Sequence, residues 1–138
     1  MMTTAEKSIT VSGEGDIVAA RQLARTFAVE LGFRAMDQSR ITTAVSELAR
    51  NVVRYADNGE GRVHMRELRE ADGRVGIEIL VEDDGPGIPD IGQAMEQGFS
   101  SGRGLGLGLG GTKRLMDEML LESVPGSGTR VTIRKWRQ

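Results

Sequence analysis

Three stretches of this chain carry residue types that could together hold a nucleotide. Glu47 and Asn51 stand one helical turn apart in a helical pattern, about 40° apart around the axis, so a carboxylate and an amide share one side. Asp83 follows Val75, Ile77, Ile79 and Val81 with the same alternating parity, which points its carboxylate to the apolar side of a strand. It opens the block Asp83-Asp84-Gly85-Pro86-Gly87. The third stretch, Gly104-Leu105-Gly106-Leu107-Gly108-Leu109-Gly110-Gly111-Thr112-Lys113, is a glycine loop running into a helix. Glycines let backbone N–H groups approach an anion, and a helix N-terminus adds positive potential. Lys113, expected in the first turn of that helix, adds charge.

Each block also has an ordinary reading. Glu47 and Asn51 sit at the edge of an apolar stripe, where polar residues commonly meet water. Asp83 facing a core needs a donor. Either the backbone amides of the Gly85-Pro86-Gly87 turn supply it, or a ligand N–H does, such as an adenine amino group. Thr129 has the parity of Val131 and Ile133, so its hydroxyl also looks inward, as a β-branched residue opening a strand would. Gly106 to Gly111 fits the dinucleotide spacing GxGxxG, but no strand precedes it and no Gly-Lys-Ser/Thr closes it, which excludes a Rossmann unit and a Walker A loop. Leu105, Leu107 and Leu109 argue against a free linker.

The elements that must position these residues follow from periodicity. Residues 8–12 alternate as a strand. Asp16 is expected to cap a helix to about Leu31, with Val18, Leu23, Ala24, Phe27, Ala28 and Leu31 on its apolar side and Gly32 ending it. Asp37 is expected to cap a second helix to about Tyr55, with Ile41, Ala44, Val45, Leu48, Val52 and Tyr55 as its stripe. Residues 62–68 and 75–82 read as strands around an Asp72-Gly73 turn. A loop follows to Gly111, with a helical turn near Ile91–Gln97, and its glycines imply mobility. A helix over Thr112 to about Met119 precedes a hairpin of 120–124 with 129–135. The order β-α-α-β-β-loop-α-β-β predicts one α+β domain over residues 1–138, a two-layer sandwich with a mixed sheet covered by helices on one face.

Composition narrows the class further. A chain of 138 residues suits one domain, which at about this size buries roughly two thirds of its unfolded surface. The net charge of −2 argues against non-specific nucleic-acid binding. With no cysteine, disulfides and zinc-thiolate sites are excluded. No apolar run approaches the ~20 residues of a membrane span, and no signal-peptide pattern opens the chain, so a cytoplasmic protein is expected. His64, the single histidine, reads as a solvent-facing strand residue rather than a metal ligand or phosphoacceptor. The basic tail Arg134-Lys135-Trp136-Arg137 reads as a solvated strand end.

The ordered blocks resemble the GHKL (Bergerat-fold) ATPases. Glu47-x-x-x-Asn51 looks like their N box, Asp83-x-Gly85-x-Gly87 their G1 box, and Gly104-x-Gly106-x-Gly108-Leu109-x-x-x-Lys113 their G2 box. Gly128-Thr129 is similar to their last glycine-threonine element. Within that family, residues 16–23, 41–51 and 114–118 look like the small switch kinases of the RsbT type, with anti-sigma kinases of the RsbW and SpoIIAB type sharing the architecture. The resemblance implies that ATP and Mg²⁺ are bound. Asp83 then receives the adenine amino group, Thr129 assists through water, and Asn51 ligates Mg²⁺. Gly85, Gly87, Gly104, Gly106, Gly108, Leu109 and Lys113 complete the nucleotide site, and Glu47 orients or deprotonates the attacking hydroxyl. It further implies a STAS-domain substrate (RsbS- or RsbR-like) and a PP2C-type phosphatase as downstream effector, or, alternatively, a sigma factor as the bound partner. The segment between Pro89 and Gly104 is short for a lid, and Arg103 is a candidate for reaching the γ-phosphate.

Overall fold

A computed structural model describes residues 5–55, 60–84, 108–124, 126 and 128–138. The elements are β1 (Glu6–Val11), α1 (Glu14–Glu30), α2 (Ala35–Tyr55), β2 (Gly61–Arg69), β3 (Val75–Asp83), α3 (Gly108–Leu115), β4 (Glu118–Val124) and β5 (Gly128–Trp136). The order expected from the sequence holds across the described residues, and the fold is α+β.

The strands form a single sheet in the order β1-β2-β3-β5-β4. All pairings are antiparallel, which corrects the expected mixed sheet. The reason is topological. β3 and β4 run the same way and are joined through α3, as parallel neighbours would be, but β5 returns between them. Similarly, α1 and α2 form a hairpin between β1 and β2, which delivers β2 antiparallel to β1.

Strand alternation sends Val63 and Met65 of β2, Ile77, Ile79 and Val81 of β3, and Val131 and Ile133 of β5 to one face. The helices cover that face, and Ile77, Ile79, Ile133, Phe27 and Ile41 are fully buried between the layers. The other face carries charge in register. Glu78 lies between Arg66 and Arg134, and Glu82 between Arg62 and Arg130. His64 is on this face, half-exposed as expected, with Nδ1 2.9 Å from the Ser8 hydroxyl and Nε2 3.3 Å from Glu82.

The helix ends differ from expectation in informative ways. Asp16 does not cap α1. Gly13 takes the extended cap position, and Asp16, in the first turn, reaches back to accept hydrogen bonds from Ser12 N (2.8 Å) and Gly13 N (3.2 Å). That places Ile17, Ala20, Ala24, Phe27 and Ala28 inward and leaves Val18 exposed. Gly32 does end α1: at φ +86° its N–H reaches Val29 O while Phe33 N reaches Ala28 O, the paired bonds of a Schellman motif. Asp37 likewise lies inside the first turn of α2 rather than at its cap. α3 starts and ends earlier than expected. Leu109, Thr112 and Met116 are buried at helical spacing, Gly110 and Gly111 are buried too, and α3 packs on α2. Met119 consequently belongs to β4. The basic tail is not a solvated end either: Lys135 and Trp136 are buried.

Candidate functional site

The polar candidates gather where the sheet register places them. Gly61 of β2, Asp83 of β3, Thr129 of β5 and Ser123 of β4 are successive cross-strand partners. This row lies one step beyond Val63, Val81, Val131 and Leu121, on the same helix-covered face. The apolar core thus ends in a polar row at the C-terminal end of β3. Asp83 and Thr129 face one another by register, as parity predicted, and both are half-buried.

Two glycines make this row close-packed. A Cβ on Gly61 would stand 2.8 Å from Val52 Cγ1 and 3.2 Å from Asp83 Cβ. The missing side chain lets α2 settle on the end of β2 beside Asp83. Val52, the residue after Asn51, thereby lies close to Gly61, the cross-strand partner of Asp83. Gly128 has φ +111°, and a Cβ there would collide with the Asp83 carbonyl oxygen and stand 3.0 Å from Asp84 Cα. Only glycine fits both that conformation and that approach.

Glu47 on α2 is largely buried, its side chain 13% exposed, and accepts a 2.7 Å hydrogen bond from Arg50 Nη1. Asn51, one turn on, is half-buried. Ser123, which sequence reasoning missed, lies 3.4 Å from the Thr129 hydroxyl and donates at 3.2 Å to Gly128 O. The signal was available, since Ser123 shares parity with Leu121 in β4. A shallow depression of about 230 Å³ opens at the strand ends, walled by Asp83, Asp84, Ser123, Gly128 and Thr129 and also by Glu82, Glu122 and Arg130 of the outer-face row.

On α3 the picture changes. Lys113 lies in the last turn, not the first, and is exposed. Helical side chains tilt toward the N-terminus, so its stem still points back along the helix. Leu109 is buried in the core, so only its backbone N–H is available to an anion. Gly108 is the first helical residue. Gly85, Gly87, Gly104, Gly106, Arg103 and the turn expected near Ile91–Gln97 lie outside the described residues. Among the described residues no cluster of three His, Asp or Glu side chains could hold a metal ion. An Asn51 amide beside nucleotide phosphates nevertheless suits Mg²⁺, which takes few protein oxygens and keeps water and phosphate in its shell.

Comparison with known proteins agrees with this geometry. Residues 36–138 match the family of histidine kinase-, DNA gyrase B- and HSP90-like ATPases. The chain is 53% identical over 131 residues to the serine/threonine-protein kinase RsbT of Bacillus subtilis (strain 168), covering 95% of this chain and 96% of that one. It is 35% identical over 122 residues to the anti-sigma F factor of Clostridium novyi (strain NT), covering 84% and 82%. Two solved structures share the fold at 21% identity. The RsbU and RsbW domains of Rv1364c from Mycobacterium tuberculosis give a TM-score of 0.63, over 97% of this chain and 33% of that one. The mycobacterial sensor histidine kinase MprB gives 0.58, over 97% and 99%. An acid and a threonine paired by register at the end of the sheet accord with what the matches establish: the chain belongs to the GHKL family of histidine kinase-, gyrase B- and HSP90-like ATPases.

Proposed function

We propose that this chain is a protein serine/threonine kinase that transfers the γ-phosphoryl group of ATP to a hydroxyl of a partner protein. The observation that carries the reading is the Asp83–Thr129 register pair at the sheet end, with Val52 of α2, the residue after Asn51, close to Gly61, the cross-strand partner of Asp83. The similarity to RsbT over nearly the whole chain supports it. Asp83 accepts the adenine amino hydrogen, and Thr129, with Ser123 behind it, orders water at the base. The N-terminal end of α3 and the glycines before it hold the phosphates, with Lys113 reaching back toward them. Asn51 holds Mg²⁺, which neutralises phosphate charge when bound. Glu47 takes the proton of the attacking hydroxyl as the new O–P bond forms and the bond to the β-phosphate oxygen breaks. Positioning and charge carry most of such a transfer, so this sparse set suffices.

The substrate class is a STAS-domain protein of the RsbS or RsbR kind. Release from it frees the kinase to activate an effector of the PP2C phosphatase type. The reactions are cytoplasmic, in keeping with the absence, among the described residues, of any helix long and apolar enough to cross a membrane. The anti-sigma F relatives support a second reading, an anti-sigma kinase that also holds a sigma factor.

The test is γ-labelled ATP with Mg²⁺ in a depleted lysate of the source organism, with wild type and Glu47→Ala. The expected result is a labelled protein with the wild type and roughly 10²–10⁴-fold less with the variant, the usual worth of a general base. Equal labelling by both would remove Glu47 from the chemistry. Bound ATP with no labelled protein would make the chain a nucleotide-gated adaptor. Co-purification with a sigma factor, rather than with a STAS protein, would select the second reading.

A further inference from the structure

Lys135 is a buried cation that the proposed reaction does not use. It sits on β5 with the parity of Val131 and Ile133, so it enters the layer between sheet and helices, at the opposite end of β5 from Thr129. Its Nζ donates to Leu115 O, the last residue of α3, at 3.0 Å. It lies 3.4 Å from Asp117 Oδ1 and 3.9 Å from Asp37 Oδ1 in the first turn of α2. Asp37 is itself held by Arg40 at 2.8 Å, and Asp117 accepts the Trp136 N–H at 2.7 Å. One ammonium therefore joins the beginning of α2 to the end of α3.

Those two helices carry the proposed catalytic machinery at their other ends. α2 presents Glu47 and Asn51, and α3 presents its N-terminus to the phosphates. α3 has only eight residues, three of them glycine, each costing about 1 kcal/mol of helix propensity. Such a helix takes its orientation from its anchors, and a pivot at its last carbonyl moves its first N–H groups. Removing Lys135 alone would leave the Asp37 and Asp117 carboxylates without that counter-charge and so cost stability, which is why a second, milder variant is needed to separate positioning from folding.

We propose that Lys135 is a positioning residue that clasps α3 to α2 and so fixes the phosphate-facing end of α3 against the Glu47–Asn51 turn. The consequence for nucleotide binding rests on the ATP reading above. The experiment uses the full chain and two variants, Lys135→Met and Asp37→Asn. The second keeps the Leu115 bond and cuts only the charge on α2. Amide exchange across 108–115 and Mg²⁺–ATP affinity are measured together, with a urea melt alongside. Exchange in α3 should rise while β2 and β3 are unchanged. Affinity should fall by at least about fivefold in Lys135→Met and by less in Asp37→Asn, with the melt of Asp37→Asn staying closer to wild type than that of Lys135→Met. Unchanged α3 exchange overturns the clasp, and so does faster exchange with unchanged affinity. If Lys135→Met does not fold, Asp37→Asn decides on the same two readouts. A wild type that binds no ATP would defeat the nucleotide reading instead, while the exchange measurement still decides whether Lys135 holds α3.

Discussion

Arg50 donates a 2.7 Å hydrogen bond to Glu47 from three residues further along the same helix. Both side chains are mostly shielded, Arg50 at 33% and Glu47 at 13% exposure, so this pair is better protected from solvent screening than an exposed one. The guanidinium holds one carboxylate oxygen, and in the proposed reaction the other takes the proton of the attacking hydroxyl. Replacing Arg50 by Ala is expected to lower kcat by roughly tenfold or more while leaving KM for ATP close to wild type, because only the orientation of Glu47 is lost. A KM change with kcat preserved would mean that Arg50 serves nucleotide binding instead.

Asp83→Ala removes the acceptor proposed for the adenine amino group. A hydrogen bond to a charged acceptor is worth about 1.5–3 kcal/mol, so ATP affinity should fall at least about tenfold by calorimetry. Wild type should also bind GTP poorly, since guanine carries a carbonyl where adenine carries the amino group. Equal affinity for the two nucleotides would overturn the adenine assignment.

Gly128→Ala puts a side chain where φ is +111° and against the Asp83 carbonyl. Strain and collision together should cost about 2 kcal/mol or more in a urea melt. The damage should also reach ATP affinity, because the Asp83 backbone must move. A stability change within about 0.5 kcal/mol, the usual range for neutral surface sites, would show that the sheet end yields easily.

The charged outer face predicts acid sensitivity. The Arg66 hydrogen bond, with help from Arg134, holds the Glu78 carboxyl below its ordinary 4.5 despite partial burial. At Glu82 burial pulls upward, and the His64 bond with the charges of Arg62 and Arg130 outweighs it. Lowered values in the folded state mean that it binds fewer protons than the unfolded chain. Their stabilisation is therefore complete above about 4.5 and is lost as pH falls through the lowered values. Glu78→Gln should flatten the fall of unfolding free energy below that pH. A slope equal to wild type would place the acid sensitivity elsewhere.

Much of this was legible in the residues. The period-2 runs gave β3 and β5, and the same parity placed Asp83 and Thr129 inward; their register partnership then made them neighbours. The stripe of α2 was equally plain: Ile41, Ala44, Val45, Leu48 and Val52 are all buried. Other features depend on partners distant in sequence. Lys135 reads as part of a solvated end although it shares the parity of Val131 and Ile133, because its partners Asp37 and Leu115 come from two different helices. The start of α3 was obscured because glycines read as loop, whereas Gly108, Gly110 and Gly111 are helical, the last two of them buried. Lys113 moved from the first turn to the last for the same reason. The mixed sheet was a topological inference that local pattern does not constrain, since nothing in β5 announces that it returns between β3 and β4.

The row Gly61, Asp83, Thr129 and Ser123 is set by a count of residues along four strands. Composition around that row can drift, but spacing cannot. A residue lost from the turn between Val124 and Gly128 that slipped β5 by one place would put Arg130 in the position of Thr129, setting a cation beside Asp83 at the proposed base site, and an added one would put Gly128 there. Lineages of this chain should therefore accumulate length changes in the Asp72-Gly73 turn, at the opposite end of β3, and almost none between β4 and β5.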